Sequence, residues 1–329
     1  MESSMYQQMR VGIVHFKAFP GIETGVGPIA ETLEKICADE FWTAVEIGWM
    51  KDYRVRNTAR MLLDQSHLSV AYATQPKMLS NKFNLNSLDQ RERSTAIDAV
   101  KSSVDEARQL GAEVVRLIAG KDPGDEKRGE AKKLLVDSIQ QILDYAAEDD
   151  DGLKFTLKIF DRDIDKKNLI GHAGDAADVA AALRPDYPNF GVLTDLSHFP
   201  LLDEDPEVSI PMLAEYLDAV HLGNCAFRDK RHPAYGDIQP RFGIPGGETD
   251  TPEVTDFFRV LRRNGFFDKA ERPIVSAEVR PVIAGEISEI ILANAKRVIR
   301  DAWALSQLPE DGGAAKRGSR MGERRPQPA

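Results

Sequence analysis

Eight short apolar, β-branched runs, each followed by a longer amphipathic stretch, leave few folds open to this chain. The runs cover residues 11–16, 44–49, 68–73, 114–119, 155–160, 191–195, 219–222 and 274–279. Nearly continuous apolar runs suit parallel strands buried on both faces. The stretches between them carry helical spacing. Ala96, Val100, Val104, Ala107 and Leu110 share one face, with Gly111 at the C-terminal end. Leu134, Leu135, Ile139 and Leu143 repeat the pattern, as do Ile287, Ile290, Ile291, Val298 and Ala302. Asp175, Asp205 and Thr251 stand where helix N-termini are expected. Eight strand–helix units with right-handed crossovers predict an α/β fold, a single (β/α)8 TIM barrel, over residues 10–306. No glycine-rich phosphate loop follows any run, which argues against a dinucleotide or P-loop fold. Residues 1–9 are read as an N-terminal extension and 307–329, rich in Gly, Pro, Lys and Arg, as a disordered tail. Residues 223–250 are too long and irregular for a simple connection, and are read as an ordered active-site loop anchored by Phe227, Tyr235 and Phe242.

Charge and cysteine content narrow the partners. Lys and Arg number 43 against 53 Asp and Glu, a net charge of −10, which repels nucleic acid and anionic lipid. The two cysteines, Cys37 and Cys225, lie far apart in no paired motif, so neither a disulfide framework nor a cysteine zinc site is expected. Residues 1–10 are polar, and no stretch approaches the roughly 20 apolar residues of a membrane span. A cytoplasmic enzyme acting on a small molecule is expected, assembled as a homo-oligomer or a hetero-oligomer with a small subunit.

In such a barrel the reactive side chains project from the C-terminal ends of the strands. Asp195, His221 and Glu278 each sit within or at the end of an apolar run, on the sixth, seventh and eighth strands. Each has an ordinary alternative: Asp195 as a helix cap, His221 as a core histidine on a carbonyl, Glu278 as the partner of Arg280 or Lys158. Their coincidence on three successive strand ends favours a shared site, because lone buried carboxylates are costly. An Asp/His/Glu set suits a divalent cation, with Mn²⁺ placed first and Mg²⁺, Zn²⁺ or Co²⁺ as alternatives. Glu46, in the second run, needs an arginine or lysine across the barrel. His15, near the end of the first run, and Gln75, Lys77 and Lys121, after the third and fourth, are weaker candidates.

These residues resemble the xylose isomerase-like TIM barrels, the sugar phosphate isomerase/epimerase superfamily, over about residues 10–306. The resemblance is carried by Val45-Glu46-Ile47, Asp195-Leu196-Ser197-His198, His221-Leu222-Gly223-Asn224 and Glu278. Residues 160–167 and 232–237 resemble a branch that acts on 3-keto-glycosides. The resemblance implies a metal held by a Glu on strand five, Asp195, His221 and Glu278, with His198 on substrate hydroxyls. Here Lys158 stands in the place of that glutamate. Three consequences are open: three ligands hold the metal weakly, the Lys158 ammonium replaces it, or the chain has lost the reaction. A shifted alignment would bring Asp161 or Asp163 to the metal.

The leading expectation is a sugar isomerase or epimerase that abstracts a proton beside a carbonyl and passes through an enediolate. Glu278, Lys158 and His198 are the expected catalytic residues. Glu46, His198, Arg280, His232 and Arg241 are expected to bind substrate, with the loop around His232, Tyr235, Asp237 and Arg241 closing over it. The alternatives are a lyase or deglycosidase that eliminates from 3-keto-glycosides, and a non-catalytic sugar-binding barrel. Metal-dependent phosphodiester cleavage fits neither the acidic charge nor the six histidines.

Overall fold

A computed structural model describes residues 4–149 and 152–309. The expected tail therefore lies outside the described residues from position 310 onward. Eight parallel strands close into one barrel in chain order. They are β1 (Arg10–Val14), β2 (Ala44–Ile47), β3 (Ser69–Ala73), β4 (Val114–Ile118), β5 (Lys154–Lys158), β6 (Phe190–Asp195), β7 (Leu217–Gly223) and β8 (Ile274–Glu278). Each expected run corresponds to one strand, with ends displaced by a residue or two. The first run stops early, because residues 15–18 coil into the single turn His15–Ala18. The fifth stops at Lys158, where Phe160 leaves the sheet to bond the carbonyl of Ile170.

Amphipathic helices surround the barrel and bury the expected stripes. Helix Gln90–Gln109 turns Ala96, Val100, Val104 and Ala107 inward, and Gly111, just past its end, has φ +72°. Asp205 caps the helix Pro206–Leu213 as expected. Asp250, one residue before the expected Thr251, closes a capping box with Glu253 on helix Thr251–Arg263. Asp175 lies in the first turn of helix Ala173–Leu183, paired with Lys132 and Arg162. Ile287 and Ile290 depart from their stripe. They precede and begin helix Ser288–Ser306 and stay 53% and 61% exposed, while Ile291, Val298 and Ala302 pack inward.

The lumen is the unusual part. Barrel interiors are commonly filled with bulky branched residues. Here Ala44, Ala71, Val114 and Ile274 form a small separate cluster, and Gly12 lies so close to β8 that an added Cβ would meet Ser276 Oγ at 2.4 Å. Gly12, Ala44 and Ala71 at that level leave room above them for charged side chains from β2, β4, β5, β7 and β8. The long loop after β7 is ordered, with Phe242 fully buried. Ala226, Ala234 and Ile244 pack there with Val282 and Ile283, giving the loop a core of its own.

Candidate active site

Strand register brings the reactive side chains to one end of the lumen. Asp195 pairs across the sheet with His221, and Glu278 with Gly223. Lys158 is level with Ile118 on one side and Leu193 on the other. Glu46 comes from β2, opposite Val14. Glu46, Lys158, Asp195, His198, His221 and Glu278 are all at most 1% exposed.

The centre is a chain of alternating charges. The Lys158 ammonium donates to Glu278 Oε2 at 2.5 Å and stands 3.9 Å from Asp195 Oδ2. His221 Nδ1 lies 2.6 Å from the same Glu278 oxygen, and its Nε2 lies 2.9 Å from Glu46 Oε2. Arg116 Nε is 3.6 Å beyond, on the far side of Glu46. A second lysine, Lys17 on the turn after β1, reaches Glu278 Oε1 at 3.3 Å. Both ring nitrogens of His221 thus face carboxylates, an arrangement that favours the doubly protonated imidazolium. Burial, the largest influence, would lower its pKa, but Glu46 and Glu278 together more than offset it and the value is raised. Burial would raise the Glu278 carboxyl, yet Lys158, Lys17 and His221 hold it well below the usual range. Lys158 is raised in turn: burial opposes its charge, and Glu278, Asp195 and Glu46 more than offset burial.

Asp195 has different surroundings. Its Oδ1 accepts from the Ser197 N–H at 2.9 Å and hydroxyl at 2.8 Å, and Oδ2 from Gln239 Nε2 at 3.3 Å. Burial raises its pKa, His198 lowers it and Glu278 raises it again; the net shift is upward. His198 sets Nδ1 2.8 Å from the carbonyl of Ile159 and Nε2 3.2 Å from Asp237. Burial disfavours its charge, but Asp237 prevails and its pKa is raised.

The long loop seals this centre. Asp237 and Gln239 point inward, and Gln239 bonds both Asp237 and Ser197. Gln239 takes φ +64°, a strained conformation for a residue with a Cβ. Its backbone carbonyl is held by Arg280 N at 2.8 Å. Gly223 makes the close fit possible, since a Cβ there would lie 2.1 Å from Gln239 Oε1 and 2.7 Å from Asp195 Oδ1.

The expected Asp195, His221, Glu278, Lys158, His198 and Glu46 therefore meet in one cluster. Arg280, His232 and Arg241 do not touch it. Arg241 Nε bonds Glu286 and His232 Nε2 faces the carbonyl of Pro245, both bracing the closed loop, while the Arg280 side chain lies 3.7 Å from Glu23. Asp161 and Asp163 do not reach the centre either, which removes the shifted alignment. Asp161 accepts from the N–H groups of Ile164, Asp165 and Lys166, closing the turn after β5, and Asp163 is exposed. Lys77 bonds Ala99 and Ser102 on the helix Gln90–Gln109, away from the centre. Lys17, Arg116 and Gln239 are the members that sequence reasoning missed.

His15 is structural. Its Nε2 lies 2.8 Å from Thr32 Oγ1, and burial pushes its pKa down to about 3 from 6.5. The unfolded chain binds this proton between those values and the folded chain does not. The stabilisation is full above about pH 6.5 and drains away as the pH falls, by on the order of a few kcal/mol. Denaturant unfolding of His15→Gln between pH 7 and 4.5 is expected to show a shallower loss of stability than the parent. Equal slopes would contradict the assignment.

The donor set can be tested against a divalent ion. Asp195, His221 and Glu278 each offer an atom, all within 4.8 Å of one another, and the residue types suit such an ion. Most of these atoms already face a cation or a carboxylate. Lys158 and His221 share Glu278 Oε2, each His221 nitrogen faces a carboxylate, and Glu278 Oε1, which has no hydrogen-bond partner, has the Lys17 ammonium at 3.3 Å. A dication does not fit beside the Lys158 ammonium, which already holds the cation's place.

The family model described as xylose isomerase-like TIM barrel matches residues 40–290. No match is found among curated proteins. Among solved structures, a D-tagatose 3-epimerase-like protein is similar with TM-score 0.68 at 15% identity, covering 91% of this chain and 98% of its own. An L-ribulose 3-epimerase has TM-score 0.65 at 15% identity, covering 91% and 95%. The IolI protein with a bound zinc atom has TM-score 0.66 at 17% identity, covering 90% and 98%.

Proposed function

The chain belongs to the xylose isomerase-like TIM barrels, and from that membership we propose an isomerase or epimerase that removes a proton beside the carbonyl of a ketose or related sugar. The observation that carries this reading is the Lys158–Glu278 pair, 2.5 Å apart at the sealed end of the lumen. The sugar epimerases of similar fold support the substrate class.

In the resting site Glu278 is a poor base, because Lys158 leads the charges that stabilise its carboxylate. A substrate carbonyl placed between the two changes this. The Lys158 N–H turns to the carbonyl oxygen and polarises it. Glu278 Oε2 loses that hydrogen bond and gains basicity as the neighbouring C–H becomes acidic. The C–H proton passes to Glu278, its electron pair forms the enolate carbon–carbon bond, and the ammonium stabilises the enolate oxygen. Epimerisation requires a second acid to deliver a proton to the other face, for which Asp195, with its raised carboxyl beside Lys158, is the candidate. Isomerisation requires Glu278 to return its proton to the adjacent carbon while the neighbouring hydroxyl gives its proton to the enolate oxygen. His221 keeps Glu278 oriented, with Glu46 and Arg116 behind it.

Substrate reaches the centre only if the loop 223–250 lifts Asp237 and Gln239 away. Its return excludes water from the enolate. Expulsion of a β-substituent from the same enolate would make the protein a lyase on 3-keto-glycosides, and the product separates the two outcomes.

Incubation in D₂O with a panel of ketoses and 3-keto-glycosides tests the reading. Deuterium is expected at the carbon beside the carbonyl of at least one substrate, and to persist with a metal chelator present. Absence of exchange on every substrate, with and without added Mn²⁺, would leave a sugar-binding barrel instead.

A further inference from the structure

At the opposite end of the barrel, where the strands begin, the structure holds a cavity of about 240 Å³. Its lining includes six cationic residues, Arg10, Arg116, Lys154, Arg184, Lys269 and Arg272, against three carboxylates. That excess of positive charge stands on a chain with a net charge of −10. The carboxylates are already shared. Glu113 and Glu271 pair with Arg10, Glu271 also with Lys154, and Asp218 with Lys269 at 3.1 Å and Arg184 at 3.7 Å.

Some of this charge is taken up by backbone carbonyls, those of Phe190 and Leu217 at the starts of β6 and β7 among them. That role does not exhaust it. Arg184 commits Nη1 to the Phe190 carbonyl and Arg272 commits Nη1 to the Tyr6 carbonyl. Arg116 is the more telling residue. It is 3% exposed, bonds Thr156 Oγ1 through Nη1 at 2.9 Å, and has Glu46 Oε2 3.6 Å from its Nε, too far for a hydrogen bond. One carboxylate at that distance compensates a buried guanidinium only in part, which favours a further anion in the cavity that Arg116 also lines.

We propose that this basal cavity binds a small phosphate-type oxyanion, with Arg116 at its floor and Arg184 and Arg272 at its rim. Guanidinium groups suit such ligands because their forked donors match two phosphate oxygens at once. The volume admits a phosphate group with a small organic substituent. The site lies at the far end of the lumen from Lys158, so its ligand does not compete with the sugar.

Calorimetric titration with inorganic phosphate, pyrophosphate and glycerol phosphate, against chloride at matched ionic strength, tests the proposal. Saturable binding of at least one of the three is expected, and the strongest of them shows whether the free ion or an ester is the natural source. The double variant Arg184→Gln/Arg272→Gln is expected to weaken binding by at least about 10-fold, the cost of a lost charge-assisted hydrogen bond. Should the double variant not fold, Arg272→Gln alone is expected to give an intermediate loss. No saturable binding to the parent protein up to about 10 mM, or equal binding by the folded variant, would overturn the proposal.

Discussion

Lys158→Met is expected to destabilise the protein by about 3–5 kcal/mol and to slow proton exchange by about 100-fold or more. The side chain keeps its length and loses its charge. Glu278 then lacks the ammonium at 2.5 Å, and Asp195 the one at 3.9 Å, while both stay buried. Lys17 and His221 remain on Glu278, so the loss stops short of an uncompensated buried carboxylate. The pH dependence carries a sign. In the parent, Glu278 is held well below its ordinary value of 4.5, so its stabilisation is present above about pH 4.5 and lost as the pH falls through the depressed value. In the variant that depression is smaller. The deficit against the parent is therefore largest near neutrality and narrows toward acid. Chemical denaturation at pH 7 and pH 4 reads both quantities. A variant as stable as the parent at pH 7 would mean that Lys158 does not compensate these carboxylates.

The barrel was legible in the sequence because parallel strands buried on both faces must be apolar nearly throughout. Asp195, His221 and Glu278 were legible for the same reason, as polar residues at the ends of runs that otherwise exclude them. The residues alone offered Lys158 as one partner for Glu278, and the family resemblance set it in the place of a glutamate. What escaped depended on backbone geometry. Lys17 reaches Glu278 because the chain coils at His15, where an apolar run had suggested that the strand continues. Gln239 reaches Asp195 through a positive φ that glutamine does not announce. Arg116 did leave a signal, a charged residue inside the run 114–119, and it supplies the arginine that Glu46 was expected to need. Ile287 and Ile290 mark the converse limit, since helical spacing cannot say where a helix begins to face the core.

The second large effect concerns metal. Lys158→Glu would remove the ammonium and add a carboxylate beside Asp195, His221 and Glu278. Four anionic or imidazole donors then converge on one point, and the excess of buried negative charge favours a divalent cation strongly. The variant is expected to be less stable than the parent without metal. It should regain about 2.7 kcal/mol when Mn²⁺ is supplied at 100 times its dissociation constant. With the Lys158 ammonium gone, exchange in the variant is expected to become dependent on metal.

Titration of the parent and of Lys158→Glu with Mn²⁺, alongside D₂O exchange with and without chelator, tests most directly whether Lys158 is the working cation of the site. The parent is expected to show no saturable Mn²⁺ binding and exchange that ignores the chelator, while the variant binds a single Mn²⁺ with micromolar or tighter affinity. A parent that binds a single Mn²⁺ at micromolar affinity, and loses exchange when the metal is removed, would contradict it.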